Sequence, residues 1–253
     1  MHNLIANIHH ESALDTMQRM ASESIDLIVT DCPYKIVAGG ITVDSNGFFV
    51  ADCGKSSKRW LKKGENQVPS AVKSGKMFAH NDIKFHEWLP ECYRVLKPST
   101  HCYVMINGRN LKDLQTDAED AGFVYQNLLV WKKNNATPNR YYMQNAEFIL
   151  MLSKRPARSI NNLGNQTVFE IPNYIGNKYH PSEKPVELMK RMIVESSNEG
   201  DIVYDPFCGS GAVPKACIEL GRQWVASEID GDYVEVANRT IASHESQSTL
   251  FGV

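Results

Sequence analysis

Apolar runs alternate along this chain with segments in which apolar positions recur every three to four residues. The run from Ile25 to Thr30 is mostly apolar, which is typical of a strand buried on both faces of a sheet. Between Ile83 and Leu96 the apolar positions instead follow a helical period, which ends at Lys97-Pro98. The same pattern predicts further strands at 102–106, 124–131, 147–152, 202–204 and 223–227, and further helices at 111–121, 182–194, 212–220 and 233–241. Such alternation favours an α/β protein with a mostly parallel sheet covered on both faces.

Two long segments lack any such period. Residues 35–77 are rich in Gly, Ser, Lys and Asn with scattered aromatic residues, and residues 154–177 are polar and rich in Asn. A loop of that length inside a compact domain is usually functional. We therefore expect a single domain over residues 1–253, in which 35–77 is an inserted, mobile region.

Composition excludes several classes of protein. The 253 residues are 42% hydrophobic and 22% charged, which is ordinary for one soluble globular domain. No apolar run approaches membrane-spanning length and the N-terminus lacks a signal-peptide pattern, so a cytoplasmic location is expected. The six cysteines include no Cys-x-x-Cys pair, which favours buried thiols over disulfides or a metal site.

Basic residues are concentrated in two stretches, although the formal net charge is only −2. Between Lys55 and Lys84 eight lysine and arginine residues face two acidic ones, and a second basic stretch runs from Lys132 to Arg158. Such segments on a near-neutral protein are typical of a phosphate-binding face, with solvated loops as the alternative.

A glycine turn follows the strand at 202–204. Gly209 and Gly211 lie between this strand and a helix, where glycine lets a ligand approach the backbone. Glu228 lies 19 residues after Gly209, at the end of the next strand, where a carboxylate binds the hydroxyls of a ribose. This context favours a nucleoside cofactor over a purely structural turn.

A second candidate site is the tetrapeptide Asp31-Cys32-Pro33-Tyr34, which ends the strand at 25–30. It brings an acid, a rigid turn and an aromatic face to one point, which suits chemistry on a flat ring that carries nitrogen. Alone, it is better explained as a capped strand end.

Together these motifs resemble the amino-group DNA methyltransferases of the beta class, in which the catalytic motif precedes the cofactor motif. The matching segments are Asp31–Tyr34, Trp88–Pro98, Trp131–Lys133, Glu147–Leu150, His180–Pro185, Asp205–Gly211 and Glu228–Asp230. The resemblance covers nearly all of the chain, and its strength lies in the order of these segments.

The resemblance implies a Rossmann-like three-layer αβα sandwich with a circularly permuted motif order. Its sheet would have seven strands, mostly parallel, with one antiparallel strand. It also implies S-adenosyl-L-methionine as cofactor, double-stranded DNA as partner, no metal and no membrane. Dimers are common among such enzymes, so a homodimer is one expectation.

The resemblance assigns a role to each part of the site. Asp31, Cys32, Pro33 and Tyr34 would be catalytic: the Asp31 carboxylate and the Cys32 carbonyl would accept the amine N–H groups, and Tyr34 would stack on the flipped base. The cofactor would be bound by Asp205, Phe207, Cys208, Gly209, Ser210, Gly211, Glu228, His180, Ser182 and Lys184.

Two positions depart from the family pattern. Cys32 replaces a proline, and because its backbone carbonyl is unchanged we expect activity to survive; a thiol nucleophile is the alternative for this residue. The acidic residue that often contacts the cofactor's adenine is replaced in the segment His10-Glu11-Ser12, so this contact is in doubt.

In the family that the chain resembles, an acidic first residue with a final tyrosine is typical of adenine-N6 enzymes, so the resemblance implies adenine N6 as the target, with cytosine N4 as the alternative. Three competing hypotheses are methyl transfer to RNA or to a protein amide, DNA binding without enzymatic activity, and hydride transfer by a nicotinamide dehydrogenase. For target recognition we expect residues 154–177 to be a short recognition segment, and 35–77 to share its DNA-facing role.

Overall fold

The computed structural model of the chain describes residues 3–34, 40–43, 49–52, 82–137, 141–173 and 183–251. Its strands are β1 Asn7–His10, β2 Ile25–Asp31, β3 Gly40–Val43, β4 Phe49–Asp52, β5 Leu96–Ile106, β6 Val124–Thr137, β7 Gln144–Ser153, β8 Val168–Glu170, β9 Ile202–Asp205 and β10 Gln223–Glu228. Its helices are α1 Ala13–Gln18, α2 Phe85–Val95, α3 Leu111–Asp120, α4 Val186–Ser196, α5 Ala212–Glu219 and α6 Gly231–Phe251. Among the described residues, no helix is both long and apolar enough to cross a membrane.

Eight strands form one sheet in the order β1-β10-β9-β2-β5-β7-β6-β8. Strand β7 runs antiparallel to both β5 and β6, and the other pairings in this sheet are parallel. The predicted α/β class with one antiparallel strand is confirmed. The sheet has eight strands rather than seven, because the short β8 adds an edge by pairing with residues 130–132 of β6.

The two-residue period of the strands builds two core layers. On β2, Leu27 and Val29 point to the layer beneath α4, α5 and α6, whereas Ile28 points to the layer beneath α1, α2 and α3. Ile25 also joins the second layer, because the register of β2 shifts between Ile25 and Leu27. Trp88 of α2 is fully buried in the second layer. The expected arrangement of helices on both faces of the sheet is therefore confirmed.

The sheet order brings the two candidate corners of the site together. Strand β9 lies beside β2 and runs parallel to it, so Asp205 and Asp31 end neighbouring strands at the same edge. The Thr30 hydroxyl donates a 2.8 Å hydrogen bond to Asp205 Oδ1, which joins the two strand ends directly. Ligands of open α/β sheets bind at this carboxyl edge.

Of the inserted region 35–77, only β3 and β4 are described, and they pair as an antiparallel hairpin. The rest of 35–77 lies outside the described residues, and its expected mobility therefore stays a prediction. Residues 154–173 are held against the protein: Lys154 Nζ donates to the carbonyls of Tyr93 and Leu96, and the Asn161 side chain donates to two carbonyls at the end of α4.

Candidate active site

Asp31 ends β2 with its two carboxylate oxygens in different surroundings. Oδ2 lies 2.7 Å from the ammonium nitrogen of Lys184. Oδ1 is buried and accepts no hydrogen bond from the described residues. Burial raises the pKa of the Asp31 carboxyl, while the neighbouring ammonium of Lys184 acts to lower it. Among the described residues, one acceptor oxygen of Asp31 is therefore occupied and the other is unpaired.

The thiol of Cys32 is buried in the core beneath α1–α3, although the residue lines the cleft. Its thiol lies 3.6 Å from the carbonyl oxygen of Met105, to which it donates a hydrogen bond. Burial raises the pKa of the Cys32 thiol well above its ordinary value, so it is not a thiolate at neutral pH. The alternative of a thiol nucleophile is disfavoured by this geometry.

The aromatic corner lies beside Asp31. Pro33 and Tyr34 line the same cleft, and Tyr34 packs partly against the core beneath α1–α3. Burial and the Asp31 carboxylate raise the pKa of the Tyr34 phenol, so Tyr34 remains protonated over the physiological range. Its ring supplies an apolar surface in the cleft that Asp31 also lines.

The glycine turn wraps around the carboxylate of Glu228. The backbone N–H of Gly209 donates to Glu228 Oε2 at 2.8 Å, and that of Asp230 donates to Oε1 at 3.0 Å. Gly209 and Gly211 both have positive φ, at 54° and 84°, and Gly211 caps the start of α5. Burial raises the pKa of the Glu228 carboxyl, which the two N–H groups oppose.

Asp205 connects the glycine turn to the end of β2. Its Oδ1 accepts hydrogen bonds from the Thr30 hydroxyl and from the backbone N–H of Phe207, at 2.8 and 3.1 Å. Burial raises the pKa of Asp205 to about 7, although these two hydrogen bonds act against the shift. Phe207 in turn packs edge-on against Trp88, with ring centroids 5.2 Å apart.

A single cleft is lined by residues from both corners. The predicted site residues that line it are Asp31, Cys32, Pro33, Tyr34, Lys184, Asp205, Phe207, Cys208, Gly209, Ser210 and Glu228. Gly211 lies behind the turn as the N-cap of α5, whereas His180 and Ser182 lie outside the described residues. The described part of the chain contains no cluster of side chains able to hold a metal ion.

Sequence reasoning missed several residues of the cleft wall. Ser12 and Ala13 line it where α1 begins, and Ile229 and Tyr233 line it after β10. Glu11 is engaged elsewhere, since its Oε1 accepts from the Thr16 hydroxyl and pairs with Arg19. The departure at His10-Glu11-Ser12 therefore leaves a serine, rather than an acid, on this wall of the cleft.

Glu147 is a further residue that reasoning from sequence left without a role in the site. It lies 3.4 Å from Lys184 Nζ and forms a second ion pair with Lys133. Its pKa is lowered, because the two ammonium groups outweigh the effect of burial. The sequence gives no role for a single acidic residue at the start of an apolar strand, because its partners Lys184 and Lys133 are distant in sequence.

Comparison with known proteins identifies relatives of this chain. The family model described as DNA methylase, which covers N6 and N4 methyltransferases, matches residues 25–174 and 161–239. The type II methyltransferase M.HpaI of Haemophilus parainfluenzae is 30% identical over 257 residues, which cover 92% of this chain and 73% of that protein. The DNA adenine methyltransferase YhdJ of Escherichia coli (strain K12) is 27% identical over 290 residues, which cover 98% and 87%.

A solved structure extends the comparison to the fold. The M1.HpyAVI–SAM complex has a TM-score of 0.63 at 23% identity, covering 92% of this chain and 98% of that one. With a family model that spans most of the chain and a relative at 30% identity, the chain belongs to the DNA methylase family of N6 and N4 methyltransferases.

Proposed function

We propose that this enzyme transfers a methyl group from S-adenosyl-L-methionine to the exocyclic N6 amine of adenine in double-stranded DNA. The observation that carries the proposal is the buried Oδ1 of Asp31, which accepts no hydrogen bond from the described residues, together with the cleft that Asp31 shares with the turn around Glu228. The name of YhdJ, a DNA adenine methyltransferase, supports adenine as the target.

The cleft fits the proposed cofactor. The Gly209–Gly211 turn, with its positive φ angles, allows close approach to the backbone, and Glu228 offers a carboxylate for two ribose hydroxyls. Phe207, Cys208 and Ser210 would hold the rest of the cofactor, and Asp205 would hold the turn. His180 and Ser182 keep their predicted cofactor roles as proposals. When bound, S-adenosyl-L-methionine supplies an electrophilic methyl group on a sulfonium.

The residues at the end of β2 would make the amine of the target base more nucleophilic. An exocyclic amine of adenine is a weak nucleophile, since its lone pair is delocalised into the ring. Asp31 Oδ1 would accept one amine N–H and the backbone carbonyl of Cys32 the other, which localises the lone pair on nitrogen. Tyr34 would stack on the base and orient it. Asp31 would then accept the proton that the amine loses.

The base must leave the duplex to reach Asp31, so DNA must bind along the catalytic edge. The segments 35–77 and 154–177 keep their predicted DNA-facing roles as proposals. We add the connection between β6 and β7, which reaches this edge because β7 reverses direction there. Tyr141, Tyr142 and Met143 of this connection are 81%, 87% and 62% exposed. Exposed aromatic side chains at such a position suit stacking on bases.

Cytosine N4 is the second candidate target. The matching family model covers both N6 and N4 enzymes, and an acceptor pair at the end of β2 serves either amine. Methyl transfer to RNA or a protein amide receives no support from the DNA-specific names of the family and of YhdJ. A homodimer and a cytoplasmic location stay predictions.

Labelled methyl transfer followed by base analysis tests the proposal. Duplex DNA of known sequence, RNA and protein are incubated with the cofactor labelled in its methyl group, and the DNA is digested to nucleosides. We expect label in the N6-methylated deoxyadenosine of DNA alone. Label in N4-methylated deoxycytidine, in RNA or in protein would replace the proposed substrate.

Asp31→Ala is the matched variant for this assay. We expect methyl transfer to fall by about 100-fold or more, because the amine loses its charged acceptor. Cofactor affinity, measured by calorimetry, should stay close to that of the wild type, since Glu228 and the glycine turn are untouched. Undiminished transfer by Asp31→Ala would remove Asp31 from the mechanism.

A further inference from the structure

Three charged side chains lie on one face of the sheet at its catalytic edge. Asp31, Glu147 and Lys133 each lie two positions along a strand from a residue of the core beneath α4–α6, and a two-residue step returns to the same face. Those core residues are Val29, Ile149 and Trp131. The alternation of side chains along β2, β7 and β6 therefore places two carboxylates and one lysine ammonium near the start of α4.

Lys184, just before α4, completes this cluster. Its ammonium nitrogen lies 2.7 Å from Asp31 Oδ2 and 3.4 Å from Glu147 Oε2, and its side chain is only 8% exposed. Glu147 uses its other oxygen, Oε1, to pair with Lys133. The result is a chain of alternating charges, in which two carboxylates and two ammonium groups balance.

Lys133, at the other end of this row of charges, packs against Trp131, which is hydrogen-bonded next to the outer strand β8. The ammonium of Lys133 lies 4.9 Å from the centre of the Trp131 ring. The indole N–H of Trp131 donates a 2.8 Å hydrogen bond to the carbonyl of Ile171, which directly follows β8. Glu147 is thus held by groups that belong to the sheet rather than by a mobile surface lysine.

Burial disfavours the ionised form of Asp31 and raises its pKa, and the ammonium of Lys184 opposes this effect. A protonated carboxyl carries a donor proton and loses the charge that strengthens its acceptor oxygens. Burial raises the pKa of Asp31, Lys184 acts to lower it and Glu147 acts to raise it. Burial also acts to lower the pKa of Lys184, but the carboxylates of Asp31 and Glu147 outweigh it and raise that pKa. Lys184 therefore stays charged wherever Asp31 is needed as a carboxylate.

We propose that Lys184 and Glu147 are positioning residues for Asp31. Lys184 binds Oδ2 and keeps the carboxylate ionised, and Glu147 holds Lys184 on that one oxygen, so that Oδ1 is left for the amine N–H. This assigns Lys184 to the catalytic corner instead of the cofactor pocket. It rests on the proposed function in one respect, namely that Oδ1 accepts an amine N–H.

Removal of the Lys184 charge is the first test. In Lys184→Met the acidic limb of the pH profile of methyl transfer should move upward by about 1 to 3 pH units, since a buried carboxylate loses its cation. Titration of ¹³C-labelled aspartate by NMR should show the same upward change for Asp31, with the resonance assigned by Asp31→Asn. Charged or titratable groups around Asp31 that remain in this variant are Cys32, Tyr34, Lys133, Glu147 and Asp205.

Lys190→Met is the matched control. Lys190 lies on α4 and pairs with Glu187 and Glu219 at 2.8 and 2.7 Å. Neither of these ion pairs involves Asp31. We expect the pH profile and the Asp31 titration of this variant to match the wild type. Where Lys184→Met does not fold, Lys184→Gln removes the same charge with a polar side chain and is held to the same expectation.

Glu147→Gln separates positioning from charge. This change removes a negative neighbour of Asp31, so the acidic limb should not move upward. Because Lys184 loses its second anchor, the plateau rate of transfer should fall by about 10-fold or more. Cofactor affinity by calorimetry should be unchanged in both the Lys184 and Glu147 variants.

The outcomes distinguish this proposal from the proposed function. An Asp31 pKa in Lys184→Met or Lys184→Gln that stays within about 0.3 pH unit of the wild type overturns the role of Lys184. A wild-type plateau in Glu147→Gln overturns the role of Glu147. If the wild type modifies no DNA while the NMR titration responds as expected, the substrate is wrong and the effect of Lys184 on Asp31 stands.

Discussion

Two glycines with the same backbone conformation differ in what surrounds them. Gly200 and Gly211 both have a φ of 84°. A Cβ on Gly200 would meet nothing within 4 Å, whereas one on Gly211 would lie 3.3 Å from Ile241 Cδ1 and 3.4 Å from Ala237 Cβ. Both positions favour glycine for its access to positive φ, and Gly211 alone is also crowded by α6.

Alanine at these two positions separates the backbone effect from crowding. We expect Gly200→Ala to lower the free energy of unfolding by about 1 to 2 kcal/mol, through the positive φ alone. Gly211→Ala should lower it by more and should also weaken cofactor binding, because the turn beside Glu228 must shift. Denaturant unfolding and calorimetry measure the two effects. Equal losses of stability together with wild-type cofactor affinity would contradict the expectation.

At the residue scale, a functional residue is predictable from sequence when the residues that act with it are adjacent in the chain. The segments Asp31–Tyr34 and Gly209–Gly211 are recognisable because each collects its chemistry within a few positions of a strand end. Glu147 matches only as part of a family segment, since its meaning comes from Lys184, which is distant in sequence. The role of Cys32 needs the structure for the same reason, because its partner Met105 lies on another strand.

At the scale of elements, the connection between β6 and β7 projects the most exposed aromatic residues described in the chain. Tyr142 is 87% exposed and directly precedes Met143 and the start of β7. Tyr125, near the start of β6, lies at the opposite edge of the sheet and is 39% exposed. The two tyrosines therefore provide a comparison between the catalytic edge and the edge opposite it.

Replacing each tyrosine with alanine tests whether the connection contacts bases. Tyr142→Ala should weaken binding to duplex DNA by about 10- to 100-fold, the range typical of one stacked base. The dependence of affinity on salt should not change, since tyrosine neutralises no phosphate. Tyr125→Ala should bind as the wild type does. A Tyr142→Ala variant with wild-type affinity, measured by fluorescence anisotropy, would exclude this connection from the DNA interface.

Sequence patterns predict long elements better than short ones. The helices α2, α3, α4 and α5 follow the predicted spans to within a few residues, because each shows two or more turns of apolar periodicity. Strands β1 and β8 escape prediction, since four and three residues are too few to show a period. Their pairing with β10 and β6 comes from tertiary contacts that no local pattern records.

At the scale of the whole molecule, Asp205 makes stability depend on pH. It joins β9 to β2 near the centre of the sheet, and burial raises its pKa from 3.8 to about 7. The folded protein therefore retains a proton at Asp205 that the unfolded chain releases at lower pH. This contribution to stability is fully present below the unfolded pKa and is lost as the pH rises through about 7.

Asp205→Asn should remove this dependence, because the amide oxygen still accepts hydrogen bonds but does not ionise. Between pH 5 and pH 8, the free energy of unfolding of the variant should rise relative to the wild type by about 2 to 3 kcal/mol. Thr30→Val should raise the Asp205 pKa further, since the Thr30 hydroxyl acts to lower it. Parallel pH curves for the wild type and Asp205→Asn, from urea unfolding, would show that Asp205 is not the group responsible.

The reversal of β7 has a consequence for how such an enzyme can change its target. Residues 148–153 of β7 pair without interruption with β5, whereas the pairing with β6 becomes irregular between Lys132 and Thr137. Glu147 pairs with Trp131 before that irregularity, so changes of sequence beyond it would leave Glu147 in place. One residue inserted into the regular ladder would instead turn its carboxylate to the opposite face. Within the proposed function, variation in DNA sequence preference would thereby be uncoupled from the chemistry at the end of β2.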